Sequence, residues 1–438
     1  MEEVVPVGPG RGPPVEDGVP SPRRRGHTGE VVHVQQDTFV FVGATVFDGT
    51  RFRPATSVLV VQGRIAAVED RLTPPADATV VDAVGATLLP GLVDAHTHVS
   101  AGALEAALRF GVTTELDMFA DPGLVRSLKQ RATADPAELA DVRSAGTGAT
   151  APGGHPTVLV DRGQLAPFPT IASPEQAGAF VAARIAEGSD HLKVVLEDGT
   201  TTGRPVPKLP EDVLRALVTA AHAEGMTVVA HALTQADALA AVRAGVDGLA
   251  HLFLDQPPSG EFVDAAAQRG VFVIPTLTSL AARSGDGRGR ALAADPRLGP
   301  LLDAGQRALL HMDFPAGPGA QADLQPALDA VPRLRDAGVA LLAGTDAASP
   351  GTAHGASLHD ELDLLVRAGL TPGEALTAAT RAPAAAFPTI ADRGRLAPGL
   401  QADLLLVDGD PEVDVTATRA IRGVWRRGRQ VPRQAGAG

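Results

Sequence analysis

Short apolar runs with alternating polarity dominate both ends of the chain. Near the amino terminus they are TFVFVGATVFDG from Thr38, SVLVVQGRIAAVED and ATVVDAVGATLLPG, separated by Gly and Asp-Gly turns. The same pattern returns near the carboxyl terminus in GRLAPGLQADLLLVDGD and AIRGVWRRGRQV. Alternation with period two between turn residues is typical of half-buried strands. The pattern therefore predicts a small β-sandwich assembled from both chain ends, residues 38–90 and 391–433.

Between these ends, apolar strand-like runs alternate with amphipathic helical stretches such as PEDVLRALVTAAHAEG and TQADALAAVRAG. The eight runs are LLPGLVDAH, GVTTELDMF, DVRSAGT, HLKVVLE, MTVVAHA, GVDGLAHL, VFVIPTLT and VALLAGTD. Eight strands with interleaved helices predict an α/β fold, a (β/α)8 TIM barrel over residues 91–390. A doubly wound open sheet is the structural alternative. It is disfavoured because no glycine-rich nucleotide turn follows the first strand.

Composition and charge limit the cellular context of the protein. Residues 1–37 are rich in Pro, Gly and Arg without sustained periodicity, so a disordered tail is expected there. The arginines at Arg23–Arg25 are not followed by an apolar stretch, so we expect no signal peptide and a cytoplasmic protein. The net charge of −13 argues against nucleic acid as a partner. No apolar run reaches the roughly 18 residues that a membrane helix needs.

Two further features of the composition bear on chemistry. The chain contains no cysteine, so any metal must be bound through nitrogen and oxygen. Lysine is rare, because Lys129, Lys193 and Lys208 are the only three among 38 basic residues. A lysine inside the apolar run HLKVVLE, at Lys193, is therefore unlikely to be incidental.

The predicted strand ends carry polar groups that can bind metal. In a TIM barrel the active site lies at the carboxyl ends of the strands. Here five such ends supply His96, His98, Lys193, His231, His251 and Asp346. Period-two geometry points His96 and His98 to the same side, at a spacing that allows two imidazoles to chelate one ion. Any one of these residues has a structural explanation, but the set predicts a centre for one or two divalent ions, with zinc as first choice.

The ordered motifs LPGLVDAHTHVS, LKVV, VVAHA, GLAHL and AGTDA resemble the amidohydrolase superfamily over about residues 38–430. Two features are similar to its imidazolonepropionase-like and prolidase-like branch, which includes Xaa-Pro dipeptidases and arginine carboxypeptidases. These are the Gly153-Gly154-His155 loop and the segment HGASLHDELDLLVRAGLTPGEAL at 354–376. The resemblance implies that His96, His98 and Asp346 hold a buried metal. It also implies that two more histidines, those at 231 and 251, hold a second one.

The same resemblance implies that Lys193 is carboxylated by carbon dioxide and bridges the two ions. A carbamate supplies two anionic oxygens, whereas an ammonium would repel cations. Water activated by the metals would then be the nucleophile, and Asp346 would carry its proton to the leaving group. His155 and Arg204 are candidate substrate contacts on the loops after strands three and four.

The expected activity is metal-dependent hydrolysis of an amide, peptide-like or carbamoyl C–N bond in a small molecule. Cleavage of a cyclic amide, ester or carbamate, or deamination, is the alternative on the same centre, and Lys193 counts against deamination. A non-catalytic structural member of the fold is a further alternative, although all six ligand positions are filled. Peptidase-like relatives tend to use a tyrosine near these loops, and this chain has none. Specificity therefore stays open, as does assembly into a homo-oligomer.

Overall fold

A computed structural model describes residues 38–315 and 322–432 of the chain. The expected disordered tail, residues 1–37, lies outside the described residues. In the described part, no helix has both the length and the apolar character needed to cross a membrane.

The strands of the described residues follow the predicted apolar runs closely. In chain order they are β1 Thr38–Phe47, β2 Phe52–Val61, β3 Arg64–Glu69, β4 Thr79–Asp82, β5 Ala86–Pro90, β6 Leu92–Thr97, β7 Val112–Asp117, β8 Asp141–Ser144, β9 Leu192–Leu196, β10 Val228–Ala232, β11 Gly248–Ala250, β12 Phe272–Ile274, β13 Leu404–Asp408, β14 Ile421–Arg426 and β15 Arg429–Gln430.

The helices lie mostly between the central strands. They are α1 Ala103–Arg109, α2 Pro122–Ala134, α3 Thr157–Asp161, α4 Ala177–Glu187, α5 Glu211–Ala223, α6 Gln235–Ala244, α7 Gly260–Arg269, α8 Leu277–Arg283, α9 Arg288–Ala293, α10 Ala304–His311, α11 Gln325–Asp336, α12 Leu358–Arg367, α13 Pro372–Ala378 and α14 Arg381–Ala386.

Helix α6 illustrates how local sequence sets these boundaries. It begins where the Thr234 side chain accepts a hydrogen bond from the backbone N–H of Asp237, which satisfies one of the free donors of the first turn. It ends at Gly245, whose φ of 94° is a left-handed conformation that glycine adopts without strain. The face formed by Ala238, Ala241 and Val242 is buried, as helical spacing requires.

The two chain ends combine in one sheet. In the described residues its eight strands run in the order β15-β14-β13-β5-β1-β2-β3, with β4 paired to β1. Strand β13 pairs antiparallel with β5, so a late segment of the chain lies beside an early one. Strand β1 changes partner along its length, from β4 at residues 39–42 to β5 at residues 45–46. The joint sheet agrees with the expected use of both chain ends, whereas its closure into a sandwich stays a prediction.

The central strands form two parallel sheets in the described part of the chain, β6-β7-β8 and β12-β11-β10-β9. Backbone hydrogen bonds link them on both sides. On one side, Ala149 N–H donates to the Lys193 carbonyl at 2.8 Å. On the other, Leu342 N–H donates to the Val273 carbonyl and Ala95 N–H to the Ala343 carbonyl, both at 2.9 Å. The fold thus has mixed α/β content, and a single closed barrel stays a prediction.

The eighth predicted run, VALLAGTD, does not form a regular strand. It makes isolated parallel bridges instead, Leu341 with Val273 and Ala347 with Thr97. Gly344 lies at a close approach between neighbouring segments, because a Cβ there would stand 2.5 Å from Cγ2 of Ile274 and 2.9 Å from the backbone nitrogen of residue 96. Glycine is therefore required at this position, and the backbone departs from strand geometry just before the acidic residue that ends the run.

Buried arginines connect the carboxyl-terminal segment to the parallel strands. Nη1 of Arg393 donates a 2.7 Å hydrogen bond to Oδ2 of Asp141 at the start of β8. Nη1 of Arg426 donates to the carbonyls of Ala132 and Leu139 at 2.7 and 2.8 Å. Both guanidinium groups are almost inaccessible to solvent, so these are charge-assisted bonds in a low-dielectric interior.

Candidate metal centre

Three side chains from different segments converge at the carboxyl ends of the parallel strands. His96 on β6, His251 just after β11, and Asp346 at the end of the eighth run each offer a ligand atom within 4.8 Å of the others, and all three are buried. His251 and Asp346 have φ angles of 73° and 58°. Such left-handed backbone costs of order 1–3 kcal/mol for residues other than glycine and is concentrated at functional sites.

Asp346 supplies the negative charge of this cluster. Its Oδ1 lies 3.1 Å from Nε2 of His98 and 3.5 Å from Nε2 of His96. Burial alone would raise the pKa of Asp346, but the hydrogen bond with His98 and the charges of His251, His98 and Arg283 outweigh burial and hold this pKa below its usual range. The carboxylate is therefore ionised among imidazoles, which is the state a metal ligand needs.

A second buried acid, Asp94, holds two of the ligand-bearing segments together. Its Oδ1 accepts from the backbone N–H groups of His96 at 3.2 Å and Thr345 at 3.0 Å. Its Oδ2 accepts from the Thr345 hydroxyl at 2.6 Å. Burial, together with the charge of Glu115, raises the pKa of Asp94 to about 7. These bonds fix His96 relative to the residue that precedes Asp346.

Lys193 points into the same space from β9. Its side chain is 3% exposed, and its Nζ makes no hydrogen bond within the described residues. Burial lowers the pKa of Lys193 to about 7, although the charges of Asp346 and Asp117 oppose this shift. A buried amine without a partner is costly in its charged form, so the neutral form is accessible near neutral pH.

His231 lies beside the cluster, and its imidazole also contacts Glu197. Its ring centroid lies 4.7 Å from that of His251, while its Nε2 lies 3.3 Å from Oε2 of Glu197. The resemblance implies that His231 and His251 hold a second ion, and the His251 ring centroid lies 4.7 Å from that of His96 as well as from that of His231. The six expected ligands therefore share one region, with His231 at its edge.

The two expected substrate contacts differ in position. The His155 ring stacks beside that of His231, with centroids 5.4 Å apart, and burial together with the charge of His231 lowers the pKa of His155 to about 3. Arg204 is exposed on its loop, and within the described residues its side chain has no hydrogen bond or ion pair. His155 thus lies beside the cluster, and the role of Arg204 stays a prediction.

Sequence reasoning missed two charged residues that face the cluster. Glu197 follows β9 directly and also accepts a 2.6 Å hydrogen bond from Gly199 N–H. Its position after an apolar run was the same signal that identified the histidines. Arg283 ends α8, and its charge acts on Asp346, His231 and His155. No pattern in the sequence marks this arginine.

The residues present fit a divalent cation. Both ring nitrogens of His96 are buried without a hydrogen-bond partner in the described part of the chain, as is Nζ of Lys193. Buried polar atoms are nearly always paired, so unpaired nitrogen atoms beside an ionised carboxylate suit a divalent cation, which binds their lone pairs once they are deprotonated. Imidazole nitrogen with carboxylate oxygen suits zinc and other first-row divalent ions.

Most of the chain is similar to proteins of one known family. The model of the amidohydrolase family matches residues 87–431. An imidazolonepropionase of Deinococcus deserti is 30% identical over 409 residues, which cover 89% of this chain and 95% of the relative.

Solved structures share the fold. A Xaa-Pro dipeptidase with methionine bound in its active site superposes with a TM-score of 0.72 at 20% identity, over 91% of this chain and 100% of that one. A prolidase in complex with N-methylphosphonate-L-proline gives a TM-score of 0.71 at 23% identity, again over 91% and 100%. The chain therefore belongs to the amidohydrolase family, in its imidazolonepropionase-like branch, and is a hydrolase acting on C–N bonds.

Proposed function

We propose that this protein is a metal-dependent hydrolase that cleaves an amide, peptide-like or carbamoyl C–N bond of a small molecule. The observation that carries the proposal is the convergence of His96, His251 and Asp346 within 4.8 Å, with His98 a further 3.1 Å contact of the carboxylate. Both ring nitrogens of the buried His96 lack a hydrogen-bond partner within the described residues, and a bound divalent ion would supply one.

The proposal includes the barrel that collects these residues. We take residues 91–390 as a (β/α)8 TIM barrel, with residues 38–90 and 391–433 as the composite β-sandwich. Hydrogen bonds from Ala149 to β9, and from the 341–347 segment to both β12 and β6, support a closed ring of eight segments. In such a ring the carboxyl ends of all strands open at one rim, where the cluster lies.

The metal would be held by His96, His98, His251 and Asp346, with Lys193 and His231 as the remaining ligands if a second ion binds. A bound divalent ion would acidify a water molecule and polarise the scissile carbonyl. Zinc is our first choice because the donors are nitrogen and oxygen. The chemistry of the donor set supports this choice, while manganese, iron or cobalt would also suit it.

Lys193 is proposed to be a carbamate in the working enzyme. Its neutral amine attacks carbon dioxide, an N–C bond forms, and one proton is lost to solvent. The lowered pKa of Lys193, to about 7, supports this reaction because a sizeable fraction of the amine is neutral at physiological pH. The product replaces an unpaired buried nitrogen with two anionic oxygens.

Asp346 is proposed to move the proton. Its carboxylate stays ionised at neutral pH, so it accepts a proton from the attacking water and returns it to the leaving nitrogen. The side chain is buried, which keeps bulk water from competing for that proton. His155 is proposed to contact the substrate, and its position beside His231 supports this role.

Metal analysis combined with one substitution tests the proposal. Purified protein should contain a divalent metal, and a chelator should abolish hydrolysis of a panel of N-acyl amino acids, dipeptides, arylamides and carbamates. Asp346→Asn should lower kcat by roughly 100-fold or more, the scale of general acid–base catalysis. Asp264→Asn, at an exposed position on α7, is the control and should leave kcat unchanged. Metal-free protein with full activity would refute the proposal.

A further inference from the structure

An unpaired guanidinium lies at the edge of the metal centre. Arg283 is the last residue of α8, the helix that follows β12. Its Nε is buried and has no hydrogen-bond partner, and within residues 38–315 and 322–432 the guanidinium has no ion pair. One face is covered, because Cζ lies 3.9 Å from the centroid of the Phe314 ring.

The positive charge of Arg283 acts on residues of the metal centre. It lowers the pKa of Asp346 and of His231, after the larger effects of burial and nearer groups. Burial lowers the pKa of Arg283 itself, while the charges of Asp346 and Glu197 oppose that shift. Ser279, one helical turn before Arg283 on α8, donates a 2.7 Å hydrogen bond to Oδ2 of Asp346, so Arg283 lies beside the cluster. Within the described residues it forms no ion pair with Asp346 or Glu197.

A buried guanidinium without an ion pair destabilises the folded protein unless an anion binds to it. Arginine stays protonated in proteins, so burial cannot be relieved by loss of a proton. The Phe314 ring offsets part of the cost through a cation–π contact, but the buried Nε–H stays without an acceptor in the described part of the chain. The planar fork of N–H donors matches a carboxylate in a two-bond geometry.

We propose that Arg283 binds the carboxylate of the substrate, so that the preferred substrates are amides of amino acids with a free carboxylate, such as N-acyl amino acids and dipeptides. The inference rests on the proposed amide hydrolysis and deepens it. It assigns to Arg283 the contact with substrate that was expected of Arg204, which is exposed. Ureas and carbamates without a carboxylate would then be poor substrates, because they leave the guanidinium unpaired.

A different role for Arg283 predicts different kinetics. An arginine that polarised the scissile carbonyl would matter equally for charged and neutral substrates, and its loss would lower kcat for both. An arginine that binds a remote carboxylate should matter only where that carboxylate is present. Matched pairs of substrates therefore separate the two roles.

The experiment compares N-acetyl-L-leucine, N-acetyl-L-alanine and N-acetyl-L-phenylalanine with their carboxamides, using the metal-loaded full chain. The wild type should prefer the acids. Arg283→Met should lower kcat/KM for the acids by roughly 10- to 100-fold, the scale of hydrogen bonds to a charged group, and change the value for the carboxamides by less than about threefold. Arg283→Lys should retain part of the preference for the acids, and the control Arg215→Met, at an exposed position on α5, should retain all of it. Circular dichroism and metal content report whether each variant is folded.

The proposal is overturned if kcat/KM falls equally for acids and carboxamides in both Arg283 variants. It is also overturned if the wild type shows no preference for the acids. If the wild type hydrolyses neither class, the proposed amide hydrolysis fails, and binding then decides about Arg283. In that case the acids, but not the carboxamides, should raise the Tm of the wild type, and this effect should vanish in Arg283→Met. Absence of any acid-specific rise in Tm counts against the assignment of Arg283.

Discussion

The hydroxyl of Ser279 donates a hydrogen bond of 2.7 Å to Oδ2 of Asp346. A second hydroxyl, that of Ser349, donates to the same oxygen at 3.1 Å. The other oxygen, Oδ1, is thereby left to face His98 and His96. The orientation of the carboxylate is thus set by residues that do not themselves belong to the ligand cluster.

Removal of the shorter of these bonds should disturb catalysis without removing a ligand. In Ser279→Ala, Oδ2 of Asp346 loses its shorter hydrogen bond and keeps the longer one from Ser349, so the carboxylate should rotate more freely. We expect kcat/KM to fall by about tenfold, the lower end for a hydrogen bond to a charged group. Ser284→Ala is the matched control, because that serine at the end of the same helix donates to the carbonyl of Ala281. Equal activity of the two variants would remove Ser279 from the positioning role.

Substitution of Lys193 should change metal content. If Lys193 is a carbamate that bridges two ions, Lys193→Ala should lose about one equivalent of metal per chain and most activity. Lys129→Ala is the control, because Lys129 pairs with Asp190 near the surface. Elemental analysis measures the loss. Carbon-13 NMR after incubation with labelled bicarbonate should show a carbamate signal in the wild type and none in Lys193→Ala. A signal that persists in the variant would show that another amine carries the label.

Stability should depend on pH through His359, which lies away from the cluster. Its Nε2 donates to the carbonyl of Phe110 at 2.9 Å, and burial lowers its pKa to about 4. The pKa of a histidine in an unfolded chain is about 6.5. Below that pH, His359 is therefore protonated in the unfolded state while it stays neutral in the folded state. The contribution of His359 to the free energy of unfolding is fully present above about pH 6.5. It is lost as the pH falls toward 4, and the total loss is about 3 kcal/mol.

The measurement is urea denaturation of the metal-free chain at several pH values between 4 and 7. His359→Gln keeps a donor and an acceptor but does not titrate, so its free energy of unfolding should vary less over this range. The test compares how steeply the free energy of unfolding changes with pH in the two proteins, so the absolute stability of the variant does not affect it. Parallel slopes in the two proteins would assign the pH dependence to other groups.

Loss of the buried pair between Arg393 and Asp141 should destabilise the fold. Arg393→Met leaves the Asp141 carboxylate buried with less compensation, which costs about 3–5 kcal/mol when one partner of a buried pair is removed. Arg422→Met is the control, because Arg422 pairs with Asp408 near the surface, where such pairs contribute about 1 kcal/mol or less. Thermal denaturation of both variants at neutral pH checks the difference. A similar Tm for the two would mean that neighbouring arginines compensate for Arg393.

Much of the site could be predicted from the sequence because strand ends are easy to recognise. His96, His251 and Asp346 each end an apolar run, and the fold places such ends together. Arg283 could not be predicted in this way. Its position depends on where a seven-residue helix ends, and its significance depends on the absence of a partner among residues distant in sequence.

The fold could be predicted as far as the apolar pattern reaches. The pattern identified the strands of the joint sheet, but alternation does not specify partners, so the switch of β1 from β4 to β5 was not foreseen. It also predicted a strand in VALLAGTD, where close packing at Gly344 and the left-handed conformation of Asp346 interrupt regular pairing. The apolar pattern locates the strands along the chain, whereas tertiary contacts determine which strands pair and which backbone conformation each adopts.

The pairing of β5 with β13 has a consequence for how the protein is made. A ribosome releases β5 and must add roughly 300 further residues before β13 emerges, which takes about 15 to 60 seconds at ordinary rates of synthesis. Throughout that interval an edge of β5 is open, and its five residues are ones that the finished fold buries completely. An open, apolar strand edge readily pairs with other chains. We therefore expect the nascent chain to be prone to pairing with other chains until β13 has been made, so slow translation before that point should lower the yield of folded enzyme.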